Sequence, residues 1–391
     1  MNKTAEAVVI GGGVNGSSIA YHLARSGMKN VVLVEKGHIA SGPTGRSSGI
    51  VRQHYTIRTL AEMARDSLRV FQNFAEQVGG DAGFVQSGGV FSCSENDAAA
   101  LRTTVAMHQS LGIRAQVLTA QQVQDMEPGI SLHGIALAAY EPDAGYADPS
   151  LTANSFAQAA EARGVQILRK TEVTNIRTNA NRVDAVLTSA GEITTPTVIN
   201  AAGPWSDRIA AMVGLELPLC ATRHPVVLLQ RPPSWQTPTP VWLDLVEGWY
   251  FKPERSPTLM VGSMDVGQDQ KADLTNYATA PSYEETEQYS EAALRRFPML
   301  SEGLAQGGWA GLYDVTPDGQ PVIDRVAGLD GFYLAAGFSG HGFKLSPSVG
   351  LAMTELVTKG RSETYDLRPF RFTRFREGQL TRSAYEYSIV G

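Results

Sequence analysis

An apolar run, Ala7 to Ile10, stops abruptly at Gly11-Gly12-Gly13. Its shortness and its lack of alternation predict a strand buried on both faces. From Ser17 to Arg25 the apolar positions Ile19, Ala20 and Leu23 share one helical face, and Gly27 stands where such a helix would stop. Val31 to Val34 predicts a second buried strand, closed by Glu35. Thr59 to Gln77 carries Leu60, Met63, Ala64, Leu68 and Phe71 at helical spacing, and Ala153 to Arg163 predicts a helix leading into a strand at Val165 to Leu168. Val241 to Leu245, Gly248 to Lys252 and Thr258 to Met264 predict strands separated by turns, and Thr197 to Ala202 and Phe332 to Ala336 predict two more. Ser346 and Pro347 predict the cap and first position of a last helix, running to about Thr358 before Gly360. Strands interleaved with helices place the chain in the α/β class.

Composition narrows the picture. A length of 391 residues predicts two domains, or one large domain with an insertion. Hydrophobic residues at 43% against 18% charged provide for a sizeable core. A net charge of −6 without a basic stripe argues against a nucleic-acid partner. Cys93 and Cys220 are the only cysteines, and they match no metal spacing, so neither a disulfide framework nor a metal site is expected, which suits a reducing cytoplasm. The first apolar run is too short for a signal peptide, and no stretch reaches about eighteen apolar residues, so no membrane span is expected.

Gly11, Gly13 and Gly16 form G-x-G-x-x-G between a predicted strand and a predicted helix. The glycines permit a tight turn and close backbone approach to a pyrophosphate. The N-terminus of the helix that follows offers that anion free N–H groups and a partial positive charge, and Val14 and Asn15, inside the motif, are expected to contact the cofactor. Glu35, followed by Lys36, stands at the end of the next strand, where an acid accepts hydrogen bonds from ribose hydroxyls. The motif predicts a dinucleotide and does not choose between FAD and NAD.

Three further segments make that choice through resemblance. Segment 41–55, Ser41-Gly42-Pro43-Thr44-Gly45-Arg46-Ser47-Ser48-Gly49-Ile50-Val51-Arg52-Gln53-His54-Tyr55, resembles the flavin-contacting loop of the D-amino-acid oxidase superfamily, closest to its sarcosine oxidase (monomeric or beta subunit) and glycine oxidase branch. Val198 to Ser206, with Ala202, Gly203 and Trp205, resembles that family's second FAD motif, and Gly337-Phe338-Ser339-Gly340-His341-Gly342-Phe343-Lys344 resembles its C-terminal flavin motif. The resemblance implies a Rossmann-type FAD-binding domain of discontinuous segments, 1–75, 150–212 and 310–391. It implies an inserted mixed-sheet, α+β substrate domain of 76–149 and 213–309. It also implies a backbone contact from Val173 to the adenine half, and a last helix aimed at the N1–C2=O side of the flavin. Monomeric sarcosine oxidases tether flavin through a cysteine. Gly311 occupies that position here, so FAD is expected to be non-covalent.

The resemblance implies oxidation of the C–N bond of a small amine or amino acid, secondary and N-methylated ones included, by hydride transfer to flavin N5. Arg52 and Lys344 fall where the branch binds a substrate carboxylate, and Tyr250 where it presents a tyrosine to substrate. Read from the residues alone, Arg52 serves equally as a structural ion-pair partner, Lys344 as a surface lysine and Tyr250 as a packed sheet residue. His54 and His341 have the pKa range for acid–base work, although a histidine beside a glycine loop is more often a packing residue. Met260 stands where some oxidases carry an oxygen-activating lysine, so the acceptor is dioxygen or another redox partner. Gly49 replaces an arginine and Met264 a histidine, which predicts a more apolar pocket. The alternatives are an FAD-dependent 2-hydroxy-acid dehydrogenase and the FAD subunit of a heteromeric sarcosine oxidase-like complex.

Overall fold

The computed structural model describes residues 3–235, 238–254, 257–265 and 270–385. Six strands lie under the glycine fingerprint in the order Gln166–Leu168, Val31–Val34, Ala7–Ile10, Val198–Asn200, Phe332–Ala336 and Val322–Arg325. The first five run parallel and only the edge strand Val322–Arg325 is antiparallel. Every residue of the four inner strands is buried, as a parallel sheet covered on both faces requires of unbroken apolar runs. The helix Val14–Arg25 connects Ala7–Ile10 to Val31–Val34 and packs against the helices Pro149–Glu161 and Gly342–Lys359. The chain therefore enters this sheet four separate times.

A second, mixed sheet of nine strands holds Gly89–Cys93, Gln116–Thr119, Leu137–Glu141, Cys220–Gln230, Val241–Asp244, Trp249–Pro253, Thr258–Ser263, Gln270–Lys271 and Leu304–Val315. Its two faces differ. Trp249 and Phe251 pack with Trp242, Tyr289 and Phe297 beneath the helix Tyr283–Arg296. Tyr250 and Met260 turn to the opposite face and join the core that contains the fingerprint helix. The strand Leu304–Val315 runs straight through the expected 309/310 division and pairs with Cys220–Gln230 from Leu304 opposite Gln230 to Val315 opposite Cys220, so it stays in the nine-stranded sheet on both sides of that boundary. Residues 1–2 and 386–391 of the expected flavin segments lie outside the described residues.

Several element boundaries move for local physical reasons. The first helix begins at Val14, because extended Gly13 already serves as its cap position. The helix expected over 59–77 is cut at Asn73, whose side chain donates to the Arg69 carbonyl at 2.8 Å and ends the helical bonding. The helix expected from Ala153 starts at Pro149, capped by Asp148, which accepts from the Leu151 N–H at 2.9 Å. The last helix is the largest correction. It starts at Gly342, and Ser346 and Pro347 sit inside it, where Pro347 leaves the Phe343 carbonyl without its usual donor. Ser346 is no cap; its carbonyl accepts from the Ser18 hydroxyl at 2.7 Å and joins two packed helices. The expected stop at Gly360 is the left-handed C-cap.

The C-terminal segment is fastened by a buried ion pair. Arg374 donates to both carboxylate oxygens of Asp318, at 2.7 and 2.9 Å, and both side chains are wholly buried. Burial works against the Asp318 charge, but the bonds from Arg374 and from the Thr381 and Gln320 N–H groups hold its carboxyl below the ordinary value. Arg374→Ala strands that charge and is expected to cost about 3–5 kcal/mol, read by urea denaturation. A depressed carboxyl stabilises the fold above its unfolded pKa, and this stability is lost as pH falls through the folded one. The wild-type advantage over Arg374→Ala should therefore shrink on acidification.

Candidate functional site

A cavity of about 440 Å3 opens at the carboxyl ends of the parallel strands. Its wall is made by Gly11, Gly13, Val14 and Asn15 of the fingerprint, Glu35 and Lys36 after the second strand, and Ser41, Gly42, Thr44, Arg46 and Ser47 of the next loop. Val173, Ala202, Gly203, Trp205, Gly311, Phe338, Gly340, Gly342 and Phe343 complete it. Glycine turns that are remote in sequence thus face one elongated space. Gly16, Gly45, Ser48, Gly337, His341, Lys344, Arg52 and Tyr250 do not line it.

Several of these positions act from behind the wall. A Cβ on Gly16 would overlap the Gly11 carbonyl oxygen, so the helix can meet the turn this closely only with glycine there. The Gly337 N–H donates to Asp314 at 2.7 Å. Burial pushes the Asp314 carboxyl up to about 6 against the bonds it accepts from Gly337 and Phe338.

The polar groups around the fingerprint are already organised. Glu35 accepts from the Gly12 N–H at 2.7 Å and from the Gly37 N–H at 2.6 Å, so its first task is to brace the turn. The Thr44 hydroxyl accepts from the Val14 N–H at 3.1 Å and ties the second loop to the helix start. The Lys36 ammonium lies 3.3 Å from the Trp205 ring centre, and burial lowers its pKa. Gly342 and Phe343, the first residues of the last helix, border the cavity. The positive end of that helix therefore faces the space directly, more closely than a start at Pro347 would allow.

The expected carboxylate ligands lie together beside this space. Arg52 and Lys344 are 3% and 7% exposed. The Arg52 guanidinium donates to the His54 carbonyl and sits 4.3 Å from the Tyr55 ring centre. Burial holds Lys344 well below its ordinary pKa, and the Arg52 charge pushes the same way. Burial also lowers Arg52, while Glu141 and Tyr55 partly restore it. Two basic side chains are thus buried within each other's field, and a bound anion would favour the charged form of both.

His341 does not stand ready for proton transfer. Its Nε2 donates to the Gly319 carbonyl at 3.0 Å, and its Nδ1 is 3.4 Å from the Tyr55 hydroxyl. Burial, then Lys344, brings its pKa down to about 3, so it stays neutral and positions the loop. His54 is wholly buried, stacked on Phe91 with ring centres 4.3 Å apart, and is not on the wall.

His224 is the residue the sequence did not disclose. It lines the cavity, stacks on Tyr313 at 4.2 Å, and places Nε2 3.2 Å from the Tyr250 hydroxyl. Tyr250 therefore reaches the cavity through His224. Met264, read as replacing a histidine, is buried and off the cavity wall, and a histidine from the strand Cys220–Gln230 lines it. Only strand register could have revealed it: His224 pairs with Gly311, and Val226 and Tyr250 both pair with Gly262. Gly49 has φ +71°, and a Cβ there would overlap the Ala147 carbonyl oxygen, so this backbone does not admit the arginine of the resembled enzymes.

Comparison with known proteins places the chain in a family. The profile of the family described as FAD dependent oxidoreductase matches residues 6–356. The mitochondrial sarcosine dehydrogenase of Homo sapiens is 29% identical over 409 residues, covering 99% of this chain and 44% of that protein. The chain thus spans less than half of that relative's length. The sarcosine oxidase subunit beta of Rhodobacter capsulatus is 27% identical, covering 97% of this chain and 90% of that one. Among solved structures, the L-proline dehydrogenase of P. horikoshii superposes with a TM-score of 0.88 at 29% identity, over 97% of this chain and 100% of that one.

Proposed function

We propose, from the premise that this chain belongs to the FAD dependent oxidoreductase family, that it oxidises the C–N bond of a small carboxylated amine or amino acid, secondary and N-methylated amines included. FAD is the cofactor, and when bound it supplies the two-electron acceptor. The fingerprint turn and the Val14 helix start hold its pyrophosphate. Thr44, Arg46 and Ser47, together with Gly340, Gly342 and Phe343, would enclose its ring system. Gly311 offers no thiol for a tether, which supports non-covalent binding.

The observation that carries the substrate reading is the buried pair Arg52 and Lys344. It supports a carboxylate held beside the last helix, with Tyr250 and His224 facing the amine side. The protein's own work is to bind that carboxylate, keep the substrate amine neutral and exclude bulk water. The imine formed is then hydrolysed by water. Relatives named for sarcosine and L-proline carry the same two groups, a carboxylate and a secondary amine.

Anaerobic mixing with a panel of amino acids, N-methyl amino acids, cyclic imino acids and 2-hydroxy acids tests this. Bleaching of the flavin by amines is the expected result; bleaching by 2-hydroxy acids alone, or by none, sinks it. Readmitting air then reads the acceptor. Met260, an apolar side chain where a cation would favour superoxide, supports slow reoxidation and a redox partner other than dioxygen.

The likeness to a protein named as a beta subunit supports a second reading, that this chain is the FAD subunit of a larger complex. Cys93 and Cys220 are free thiols, which supports a reducing cytoplasm. No helix among the described residues is long and apolar enough to cross a membrane. In this reading, segments 1–75, 150–212 and 310–391 form the flavin half, and 76–149 and 213–309 the substrate half.

A further inference from the structure

Away from the cavity wall, three buried polar atoms meet with nothing to bond. They are Nδ1 of His54, Nδ1 of His108 and Oε1 of Glu141. The carboxylate oxygen is 3.8 Å from the first nitrogen and 3.5 Å from the second, and all three side chains are wholly buried. They come from separate places: the stretch after the strand Ile50–Val51, the helix Ala98–Ser110 and the strand Leu137–Glu141.

The outward atoms of the same three side chains are engaged. The Tyr55 carbonyl can only accept, so His108 Nε2, 2.9 Å away, carries the proton and Nδ1 presents a bare lone pair inward. His54 Nε2 pairs with the Tyr385 hydroxyl at 3.0 Å, and Glu141 Oε2 accepts from the Gln53 N–H at 2.9 Å. A ligating histidine typically gives its outer N–H to a carbonyl or similar group, which fixes the ring and aims the other nitrogen.

We propose that His54, His108 and Glu141 form a zinc-type divalent metal site. Two imidazoles and one carboxylate are a zinc ligand set, with the fourth position left to water. Tetrahedral ligands at about 2.0–2.1 Å from the ion stand about 3.4 Å apart; the carboxylate oxygen already lies 3.5 and 3.8 Å from the two nitrogens, and all three atoms are within 4.8 Å of one another. The Arg52 charge acts on all three groups and opposes a second cation, so Glu141, the one carboxylate of the set, would have to release any proton it holds when the metal binds. Occupied, the site would fasten the helix Ala98–Ser110 to the substrate sheet directly behind Arg52. This inference rests on the cluster's geometry alone and stands or falls apart from the choice of substrate.

The test uses flavin-loaded enzyme purified without a histidine tag, stripped with EDTA, dialysed against zinc chloride and then freed of excess. Metal is counted by plasma mass spectrometry. The expected result is about one zinc per chain, falling to about a tenth or less in Glu141→Gln and His108→Ala with flavin absorbance retained. Wild-type enzyme that takes up no zinc overturns the proposal, and so do folded variants that keep a full equivalent. Should both variants fail to fold, anomalous diffraction at the zinc edge from zinc-soaked wild-type crystals decides. A peak between the three side chains upholds the site, and a water there overturns it.

Discussion

Gly16→Val is expected to yield a colourless protein. The valine Cβ would overlap the Gly11 carbonyl oxygen, which is backbone and has no rotamer to retreat into. Gly11 cannot yield either: its φ is +110°, and a Cβ there would overlap the Ala201 carbonyl oxygen. The helix Val14–Arg25 must then back away from the turn, and its first N–H groups leave the position that meets the pyrophosphate. Overpacking of this kind costs on the order of 3 kcal/mol, about a hundredfold in FAD affinity. Flavin retained per chain after gel filtration, and titration with added FAD, measure it. Flavin content equal to wild type would show that the pyrophosphate does not bind at this turn.

Lys344→Met is expected to keep the flavin and lose the substrate. Methionine fills much the same buried volume, so the fold should tolerate it. One charge-assisted contact to a desolvated carboxylate is lost, worth about 3 kcal/mol and about a hundredfold in kcat/KM. A pH signature separates this role from simple packing. Free Lys344 is held below its ordinary pKa by burial and by Arg52, and an arriving carboxylate restores its charge. Binding then takes up a proton, so affinity is full below the lowered pKa and falls as pH rises through it. Acetate has no amine to titrate, and its binding can be followed by perturbation of the flavin spectrum. Wild-type affinity for acetate should weaken with rising pH, and that of Lys344→Met should stay flat. Equal slopes would remove Lys344 from the carboxylate site.

What the sequence could disclose follows from how local each feature is. The fingerprint, the inner strands and the stop at Gly360 were readable because each is fixed by residues within a few positions. The start of the last helix was not. Ser346-Pro347 is a strong local signal, but packing of the segment from Gly342 against the fingerprint helix outweighed it, and the helix gained five residues. The cavity wall was readable mainly by resemblance, since nothing local says that turns near residues 11, 203 and 340 share a space. His224 was missed because its place depends on pairing with strands around Gly311 and Gly262. The convergence of His54, His108 and Glu141 was hidden for the same reason, because their separations match no ligand spacing. Gly49 illustrates the opposite case: a departure visible in sequence, whose cause is a positive φ that only coordinates reveal.

The pocket wall draws on chain from Ile10 to Phe343, and the central strand Ala7–Ile10 has Val198–Asn200 as one neighbour, itself paired to Phe332–Ala336. A ribosome that has released only the first half of this polypeptide has therefore produced the phosphate turn without the opposing wall that encloses the flavin. Enclosure of the cofactor has to wait until the chain has been made as far as Phe343, so the longest-range contacts of the site form late. Because it binds only the assembled state, FAD in excess of its Kd would stabilise that state by mass action.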